Sequence, residues 1–336
     1  MFPATARETT QSAGLTTSFY RRQSVSSQSV EVQRKHHFVW SWHLSRWAQN
    51  GRDVHYTTST GKIGFDSVRG LAREIDFYRA SILTPFQVEI LKVSIDTIPS
   101  GASREFLHSM LQRWLSIQSG LETSVIPELA DEFKRVRDAL ECNFMETLHT
   151  AHELEARKAM EALLQDDTSL LSDTTRLLPL CMYVGQATMR TKHMRDSVAK
   201  SRSEAIEEPT NKALAGAWWF LSFVHGAAFG QGLYRSLYSS RISLLATTPE
   251  APFIISDQPI VNMHPDVAAS LDMVMPLSPL RAIAICDSER FSPGLHFLEC
   301  DAVDAINRLQ AERSTMIFAS SEEHVRRYST PALSSR

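Results

Sequence analysis

The spacing of apolar residues along the chain changes twice. Residues 103–165 carry apolar side chains three or four positions apart, which is the period of an amphipathic α-helix. Its clearest stripe consists of Leu129, Phe133, Val136, Leu140, Phe144 and Leu148. We predict helices over this segment, with a helix start near Pro127 and this stripe on the buried face.

The same reasoning predicts helices outside this segment. Residues 67–82 turn helical, and residues 174–197 form a helix capped by Ser172-Asp173. The most apolar window, residues 213–229 (ALAGAWWFLSFVHGAAF), falls short of the roughly 20 residues that span a bilayer. We therefore predict a buried helix there and no membrane association.

Short β-like runs flank the helical region. Residues 51–65 (GRDVHYTTSTGKIGF) predict one or two strands joined by a turn. Beyond residue 241, β-like runs recur and one helix, at 301–312, interrupts them. A two-stranded ribbon is marginal alone, so the first and last parts should pair. The order predicts an α+β fold, in which a long helical middle packs against a small mixed sheet formed by the N-terminal and C-terminal segments.

This pattern divides the chain into three parts. Residues 1–33 are predicted as a disordered leader, 34–322 as a single α+β domain and 323–336 as a flexible tail. The domain comprises a β-rich start (34–100), a helical middle (101–240) and a β-rich end (241–322). The leader lacks a sustained apolar core, which excludes a secretory signal; a mitochondrial transit segment is the weaker alternative to disorder.

Composition and charge narrow the function classes. With 43% hydrophobic and 22% charged residues, the chain is neither fibrous nor wholly disordered. The net charge of -3 provides no global basic field, so nucleic acid would have to bind through local patches such as residues 192–195. The four cysteines lack C-x-x-C spacing, which speaks against a zinc knuckle and favours a reducing, cytoplasmic compartment.

Three polar tracts are candidates for chemistry. His36 and His37 point to opposite faces of an extended segment, so one can be a general base or metal ligand. Gln186 and Arg190 lie four apart on a predicted helix, where an arginine can clamp phosphate or carboxylate. Asp257 ends an apolar strand, a position suited to a base or a metal ligand. Each tract also has a structural interpretation: a polar strand start, a solvated helix end and a strand-closing turn.

Other candidates are weaker. His149 and His152 precede Glu153 on a predicted helix, but H-T-A-H-E is not the H-E-x-x-H of a zinc protease, and a solvated charged face is favoured. Gly226 and Gly230 belong to no phosphate loop, since the Lys-Ser/Thr ending is absent. We expect these glycines to allow close helix packing.

Five motifs occur in a particular order: KHHFVWSWHL, then Gln186-x-x-x-Arg190-Thr191, ISDQPIV, MPLSP and INRLQAERSTMIFAS. In this order they resemble the bacterial family called domain of unknown function 4238, over about residues 35–320. The chain departs from the family pattern at Trp40 and Lys192, where the family has prolines, and at Gln258, where it has asparagine. Gln186 also lies one residue further from Arg190.

The resemblance implies one shared polar pocket. Carried over by position, its members are His36, His37, Gln186, Arg190, Thr191, Ser256, Asp257 and Asn307. We expect His36, His37 and Asp257 to be catalytic and the other five to bind substrate, with a divalent metal as a candidate cofactor. A histidine, Arg190 and Asp257 should then lie within about 12 Å of one another.

Such a pocket at the seam between helices and sheet favours an intracellular hydrolase of an anionic substrate, a nuclease-like effector of the toxin or antiphage-defence kind. The alternative is a non-catalytic binding or regulatory module whose polar cluster is a structural network. A third hypothesis is a partner-binding protein that uses its tryptophan-rich segments as an interface.

Overall fold

A computed structural model describes residues 31–58, 60–122, 127–237, 241–264 and 270–329. Most of the leader predicted as disordered, residues 1–30, lies outside these ranges. The predicted α+β class is confirmed, with helices in the middle of the chain and strands toward both ends.

The N-terminal part is a set of short strands around one helical turn. Its elements are β1 (Lys35–His37), α1 (Ser41–Leu44), a 3-10 helix (Ser45–Trp47), β2 (Asp53–Thr57), β3 (Ile63–Ser67) and β4 (Arg73–Ile75). Residues 67–82, predicted as helical, instead contain β4 and turns, because β1 and β4 pair as an antiparallel ribbon with His36 opposite Glu74.

Long helices make up the middle of the chain. They are α2 (Pro85–Asp96), α3 (Ala102–Leu121), α4 (Ala130–Leu164), α5 (Thr174–Met189), α6 (Lys192–Ala205), α7 (Glu208–Gly216) and α8 (Trp218–Ser236), with 3-10 helices at Pro127–Leu129 and Thr168–Ser172. The β-rich start therefore ends before residue 100, since α2 begins at Pro85 behind a Thr84 capping box.

The C-terminal part returns to strands. Its elements are β5 (Arg241–Ala246), β6 (Ile255–Ser256), β7 (Val261–Asn262), β8 (Asp272–Ser278), β9 (Arg281–Cys286), β10 (Gly294–Phe297), α9 (Cys300–Glu312), β11 (Ile317–Ala319) and α10 (Glu322–Tyr328). The last helix occupies residues that the sequence assigned to a flexible tail. It packs because Val325 and Tyr328 are buried.

The strands form two larger sheets besides the β1–β4 ribbon. One has the order β10-β5-β9-β8-β7 and is antiparallel except for the parallel β10–β5 pair. The other has the order β3-β2-β11-β6 and is antiparallel throughout. The second sheet joins the two ends of the chain as expected, whereas the mixed sheet is built from C-terminal strands alone.

Helix α5 lies at the centre of the molecule. It contributes Leu178 and Met182 to a core with the other helices, and Leu180 and Val184 to a core with the mixed sheet. It approaches α8 so closely that a Cβ on Gly185 would lie 2.2 Å from the carbonyl oxygen of Gly226. The glycines of α8 thus permit close helix packing, as predicted for Gly226.

The apolar stripe predicted on α4 is only partly buried. Leu148 is buried, but Leu129, Val136 and Leu140 are 50%, 39% and 36% exposed. The buried face of α4 instead includes Cys142 and Met145, followed by polar residues. The expectation of one continuous buried stripe is wrong, because the first turns of this 35-residue helix extend beyond the neighbouring core.

The buried helix predicted over residues 213–229 is confirmed only in its second part, α8, where Phe220 and Phe223 are at most 1% exposed. Residues 213–216 belong to α7 and are half-buried or exposed. Among the described residues, no single helix is long and apolar enough to cross a membrane. Helices α7 and α8 reach that length and composition together, but they are bent by 77° at their junction.

Candidate functional site

A break between α5 and α6 positions the central residue of the candidate site. The predicted helix 174–197 stops at Met189, and the next helix begins at Lys192. Thr191 caps this second helix, since its hydroxyl accepts from the Met194 N–H at 3.2 Å. The break leaves Arg190 pointing inward with 3% of its surface exposed. Thr191, predicted as a substrate ligand, is therefore engaged with backbone.

Arg190 forms a buried ion pair with Glu153 of α4. Its Nη2 donates to Oε1 of Glu153 at 2.5 Å, and both side chains are nearly inaccessible. The Nε of Arg190 has no hydrogen-bond partner among the described residues. Burial raises the pKa of Glu153 to about 7 even though Arg190 opposes the shift. The pair thus combines a fixed positive charge with a carboxyl group that exchanges its proton near neutral pH.

Two histidines lie beside this pair on the same face of α4. His149 and His152 are 2% and 1% exposed, so the predicted solvated helix face is wrong. Burial and the charge of Arg190 lower the pKa of both, that of His152 to about 4. Within the described ranges, neither ring nitrogen of His149 has a hydrogen-bond partner. Buried orphan nitrogens are uncommon and mark a site of strain, function or unseen solvent.

Tyr78 connects this cluster to the N-terminal ribbon. Its ring stacks on His36 at 4.3 Å and lies 4.8 Å from the ring of His149. Its hydroxyl donates to the carboxylate of Glu146, which is half-buried on α4. Burial and the nearby Glu146 raise the pKa of Tyr78, so the phenol stays neutral and remains a donor.

The two predicted catalytic histidines differ in role. The Nε2 of His36 donates toward the carbonyls of Gln33 (2.7 Å) and Cys142 (3.1 Å), while its Nδ1 accepts from the Tyr78 N–H at 3.2 Å. His36 is thus fully buried, satisfied and neutral, and it holds β1 against α4. Its geometry fits a structural role better than catalysis.

His37 lies at the edge of the cluster. Its ring is half-buried and donates from Nε2 to the carbonyl of Arg69 at 3.3 Å. Burial lowers the pKa of His37, Glu146 opposes this shift, and Arg190 adds to it. His37 and Arg190, both predicted site residues, therefore share one electrostatic environment with Glu146. We call the set His37, Tyr78, Glu146, His149, Glu153 and Arg190 the polar cluster.

Another histidine, His43, supports the cluster from the sheet side. Its Nε2 donates to the carbonyl of Pro276 at 2.7 Å, which leaves Nδ1 to accept from the Tyr183 hydroxyl at 3.0 Å. Burial lowers its pKa to about 4. His43 thereby joins the N-terminal segment, α5 and β8 through one neutral ring.

Gln186 lies one turn before Arg190 and contacts α8. Its Nε2 donates to the carbonyl of Phe223 at 3.0 Å. A Cβ atom on Gly226 would lie only 2.7 Å from the Oε1 of Gln186, so the two helices are in close contact here. This Oε1 has no hydrogen-bond partner in the described part of the chain. Gln186 thus packs at the helix contact rather than in an open pocket.

The remaining predicted residues lie at the C-terminal strands. Asn307 accepts from the Ile254 N–H at 3.0 Å and donates to the carbonyl of Pro252 at 2.9 Å. The Ser256 hydroxyl donates toward the side chain of Gln310 at 2.6 Å. Both side chains are fully buried and hold α9 to the strand entering β6.

Asp257 is engaged in the same region. Its carboxylate accepts from both the backbone N–H and the hydroxyl of Thr315. Burial raises the pKa of Asp257, which these hydrogen bonds oppose. Among the described residues, no hydrogen bond or ion pair joins Asp257 to His36, His37 or Arg190. These groups share no direct contact among the described residues, and their approach to within about 12 Å stays a prediction.

The sequence missed several members of the polar cluster. Tyr78 and Glu146 carry no motif, whereas His149 and Glu153 belong to the H-T-A-H-E run that the sequence assigned to a solvated face. The sequence did not show that this face of α4 points into the protein, where Arg190 pairs with Glu153.

The arrangement of donor side chains bears on the predicted metal. In the ranges that the structure covers, no group of three or more histidine, cysteine, aspartate or glutamate side chains is arranged to hold a metal ion. The histidine and Asp257 predicted as candidate ligands do not form such a group there.

One comparison with known proteins gives a match. A family model described as Protein of unknown function (DUF4238) matches residues 35–323. No curated protein and no solved structure matches the chain.

Proposed function

We propose, from the premise that the chain belongs to the DUF4238 family, that it is a hydrolase acting on an anionic, phosphate-bearing substrate at the polar cluster. The observation that carries this proposal is the buried guanidinium of Arg190, which pairs with Glu153 through Nη2 and keeps an unpartnered Nε. A buried donor of this kind is costly unless something binds it, and phosphate oxygens match the arginine fork.

The charge balance of the cluster supports an anionic substrate. Arg190 stays positive at every physiological pH, and His149 stays neutral because burial and Arg190 lower its pKa. Glu153 has its pKa raised to about 7 and carries only part of a negative charge near neutrality. Glu153 therefore neutralises Arg190 only in part, which leaves positive charge for an anion at the interior side, while the Glu146 carboxylate lies at the edge.

Proton transfer uses one group at the edge of the cluster and one group inside it. His37 and Glu146 are half-buried, whereas Arg190 and His149 are covered. In the proposed reaction a substrate phosphate enters past His37 and Glu146 and reaches Arg190 when the Tyr78–Glu146 hydrogen bond opens. His37 removes a proton from the attacking water, and Glu153 in its protonated form returns one to the leaving oxygen.

The proposed substrate class is the phosphodiester of RNA or DNA, in a nuclease-like toxin or antiphage effector. Nucleic acid would be held by local basic residues, since the net charge is -3. We place the protein in the cytoplasm, because the four cysteines are unpaired and three of them are buried, which suits a reducing compartment.

A specific observation favours a second candidate function for the C-terminal polar residues. Ser256, Asp257 and Asn307 all have hydrogen-bond partners in backbone or in neighbouring side chains. Such a satisfied network fits the alternative of a binding or regulatory module, in which these residues hold the fold rather than react.

The test compares purified wild-type protein with His37→Gln and Glu146→Gln. Hydrolysis of RNA, single-stranded DNA and a chromogenic phosphodiester is measured, and circular dichroism verifies folding. Loss of the general base in His37→Gln should lower kcat by about 100-fold or more while folding is retained. Glu146→Gln removes the carboxylate that accepts from Tyr78 at the entrance and should lower kcat less. His55→Gln and Glu161→Gln, on β2 and on the exposed side of α4, are the matched controls.

Two outcomes would reject the hydrolase proposal. One is the absence of hydrolysis of all three substrates by wild-type protein whose expression also leaves growth unaffected. The other is equal activity of His37→Gln, Glu146→Gln and the two controls. Either outcome moves the assignment to the structural-network alternative.

A further inference from the structure

A cleft of about 320 Å³ lies outside the polar cluster, between residues 77–81, helix α6 and the junction of α7 with α8. Phe77 and Arg79 line this cleft, whereas Tyr78 between them packs against His36 and His149 on the other side. The cleft and the polar cluster are therefore separated by one segment of chain. Its volume falls at the lower end of the range for small-molecule pockets, roughly 300–1,000 Å³.

One of the guanidinium groups that line the cleft has no carboxylate partner within the described part of the chain. Among the arginines that line it, Arg79 pairs with Asp76, Asp138 and Glu141, and Arg195 pairs with Glu74 and Asp196. Arg202 has no ion pair with any described residue, and its Nε is buried without a hydrogen-bond partner. A partly buried, unpaired cation needs an anion, and its donors are free to bind one.

Aromatic rings form the walls next to these cations. The Arg202 guanidinium lies 5.3 Å from the ring centre of Trp218, and that of Arg195 lies 4.9 Å from the ring centre of Phe77. Trp219 also lines the cleft, and its indole is fixed by an N–H donated to Ser81 at 3.0 Å. Trp218 and Trp219 are only 7% and 6% exposed, so a small part of each ring is available to a base. The guanidinium planes beside them are also surfaces on which nucleobases stack.

We propose that this cleft binds a mononucleotide, with the phosphate on Arg202 and the base against the aromatic wall formed by Phe77, Trp218 and Trp219. The proposal goes beyond the hydrolase assignment, because none of these residues belongs to the polar cluster. The phosphate satisfies the free donors of Arg202, and the flat base fills the apolar side. The small volume selects a single nucleotide rather than a polymer.

The experiment is isothermal titration of the full-length protein with AMP, GMP, CMP and UMP, and with inorganic phosphate and adenosine as partial ligands. At least one nucleotide should bind to wild type more tightly than either partial ligand. Arg202→Gln should weaken that binding by about tenfold or more, because a charge-assisted hydrogen bond contributes about that much to the affinity. Lys200→Gln removes the same charge from an exposed position of α6 and should leave the affinity unchanged.

The proposal is overturned if no nucleotide binds to the wild-type protein. It is also overturned if Arg202→Gln binds as well as wild type, or if Lys200→Gln weakens binding equally, since the attraction would then be diffuse charge. If inorganic phosphate binds as tightly as the nucleotides, the base contributes nothing to the affinity and the proposed role of the aromatic wall is wrong. Circular dichroism of both variants ensures that a lost affinity is not a lost fold.

Discussion

The buried pair of Arg190 and Glu153 makes a quantitative prediction about stability. The side chains are 3% and 11% exposed, and their nearest nitrogen and oxygen are 2.5 Å apart. At an effective dielectric constant of about 20, two charges about 4 Å apart attract by about 4 kcal/mol. Removing one partner leaves a buried charge alone, which costs about 3–5 kcal/mol, whereas replacing both by apolar residues is close to neutral.

The test is a double-mutant cycle with Arg190→Met, Glu153→Met and the double variant. Free energies of unfolding are measured by urea denaturation at pH 8, above the pKa of about 7 to which burial raises Glu153 beside Arg190. We expect a coupling energy of at least about 3 kcal/mol. The coupling should shrink at pH 5, where Glu153 is protonated.

The matched control is the pair Arg157–Glu161, four residues apart on α4. Its nitrogen and oxygen lie 2.8 Å apart, but the side chains are 43% and 50% exposed. Solvent screening limits such a pair to about 0.2–1 kcal/mol. Equal coupling energies for the buried and exposed pairs would refute the claim that burial sets the strength of the Arg190 interaction.

Three further predictions follow from single residues. Asn307→Ala should lower the free energy of unfolding by about 2–5 kcal/mol, because two buried backbone groups lose their partner; in urea denaturation, a loss below about 1 kcal/mol would favour the substrate-binding role instead. Gly185→Ala should cost at least about 2 kcal/mol through its clash with the backbone of α8. Gly232→Ala, in open space on α8, should be neutral or stabilising, and equal effects of the two changes would contradict the packing argument. The pKa of His43 is lowered from 6.5 to about 4, so its contribution to stability is complete above pH 6.5 and is lost as the pH falls to about 4. The raised pKa of Glu153 changes the free energy of unfolding with pH in the opposite sense. The contribution of His43 is therefore taken as the difference in free energy of unfolding between wild type and His43→Gln at each pH. The variant should show a flatter loss of stability with acid, and parallel curves would show that His43 does not titrate in this way.

Much of the fold class could be predicted from local pattern. The helix around residue 220 is predominantly apolar, although His225 is exposed, and the β-like runs beyond residue 241 became strands. These elements could be predicted because a long apolar run, or an alternation of apolar and polar residues, is visible in the sequence itself. The pairing of β1 with β4 was missed, since three-residue strands carry too little pattern to distinguish them from a helix.

The candidate site was less predictable. Arg190, Thr191 and Lys192 are all tolerated inside a helix, so the N-cap preference of threonine is a weak signal for the break between α5 and α6. The inward direction of Arg190 is decided by Glu153, a residue 37 positions away in sequence. Polar residues such as His149 were likewise assigned to solvent, because a sequence pattern identifies a buried helix face by its apolar residues. The buried polar face of α4 is instead stabilised by contacts with residues that are distant in sequence.

The sheet that joins the two ends of the chain affects how the protein is made. The Thr57 hydroxyl at the end of β2 accepts from the Ile317 N–H of β11, across 260 residues. At about 5–20 residues per second, β2 leaves the ribosome roughly 13–50 s before its partner strand. During that interval the β2–β3 hairpin has an open edge that can pair with another nascent chain. Recovery of folded protein should therefore depend on the rate of translation and on chaperones that shield this edge until synthesis is complete.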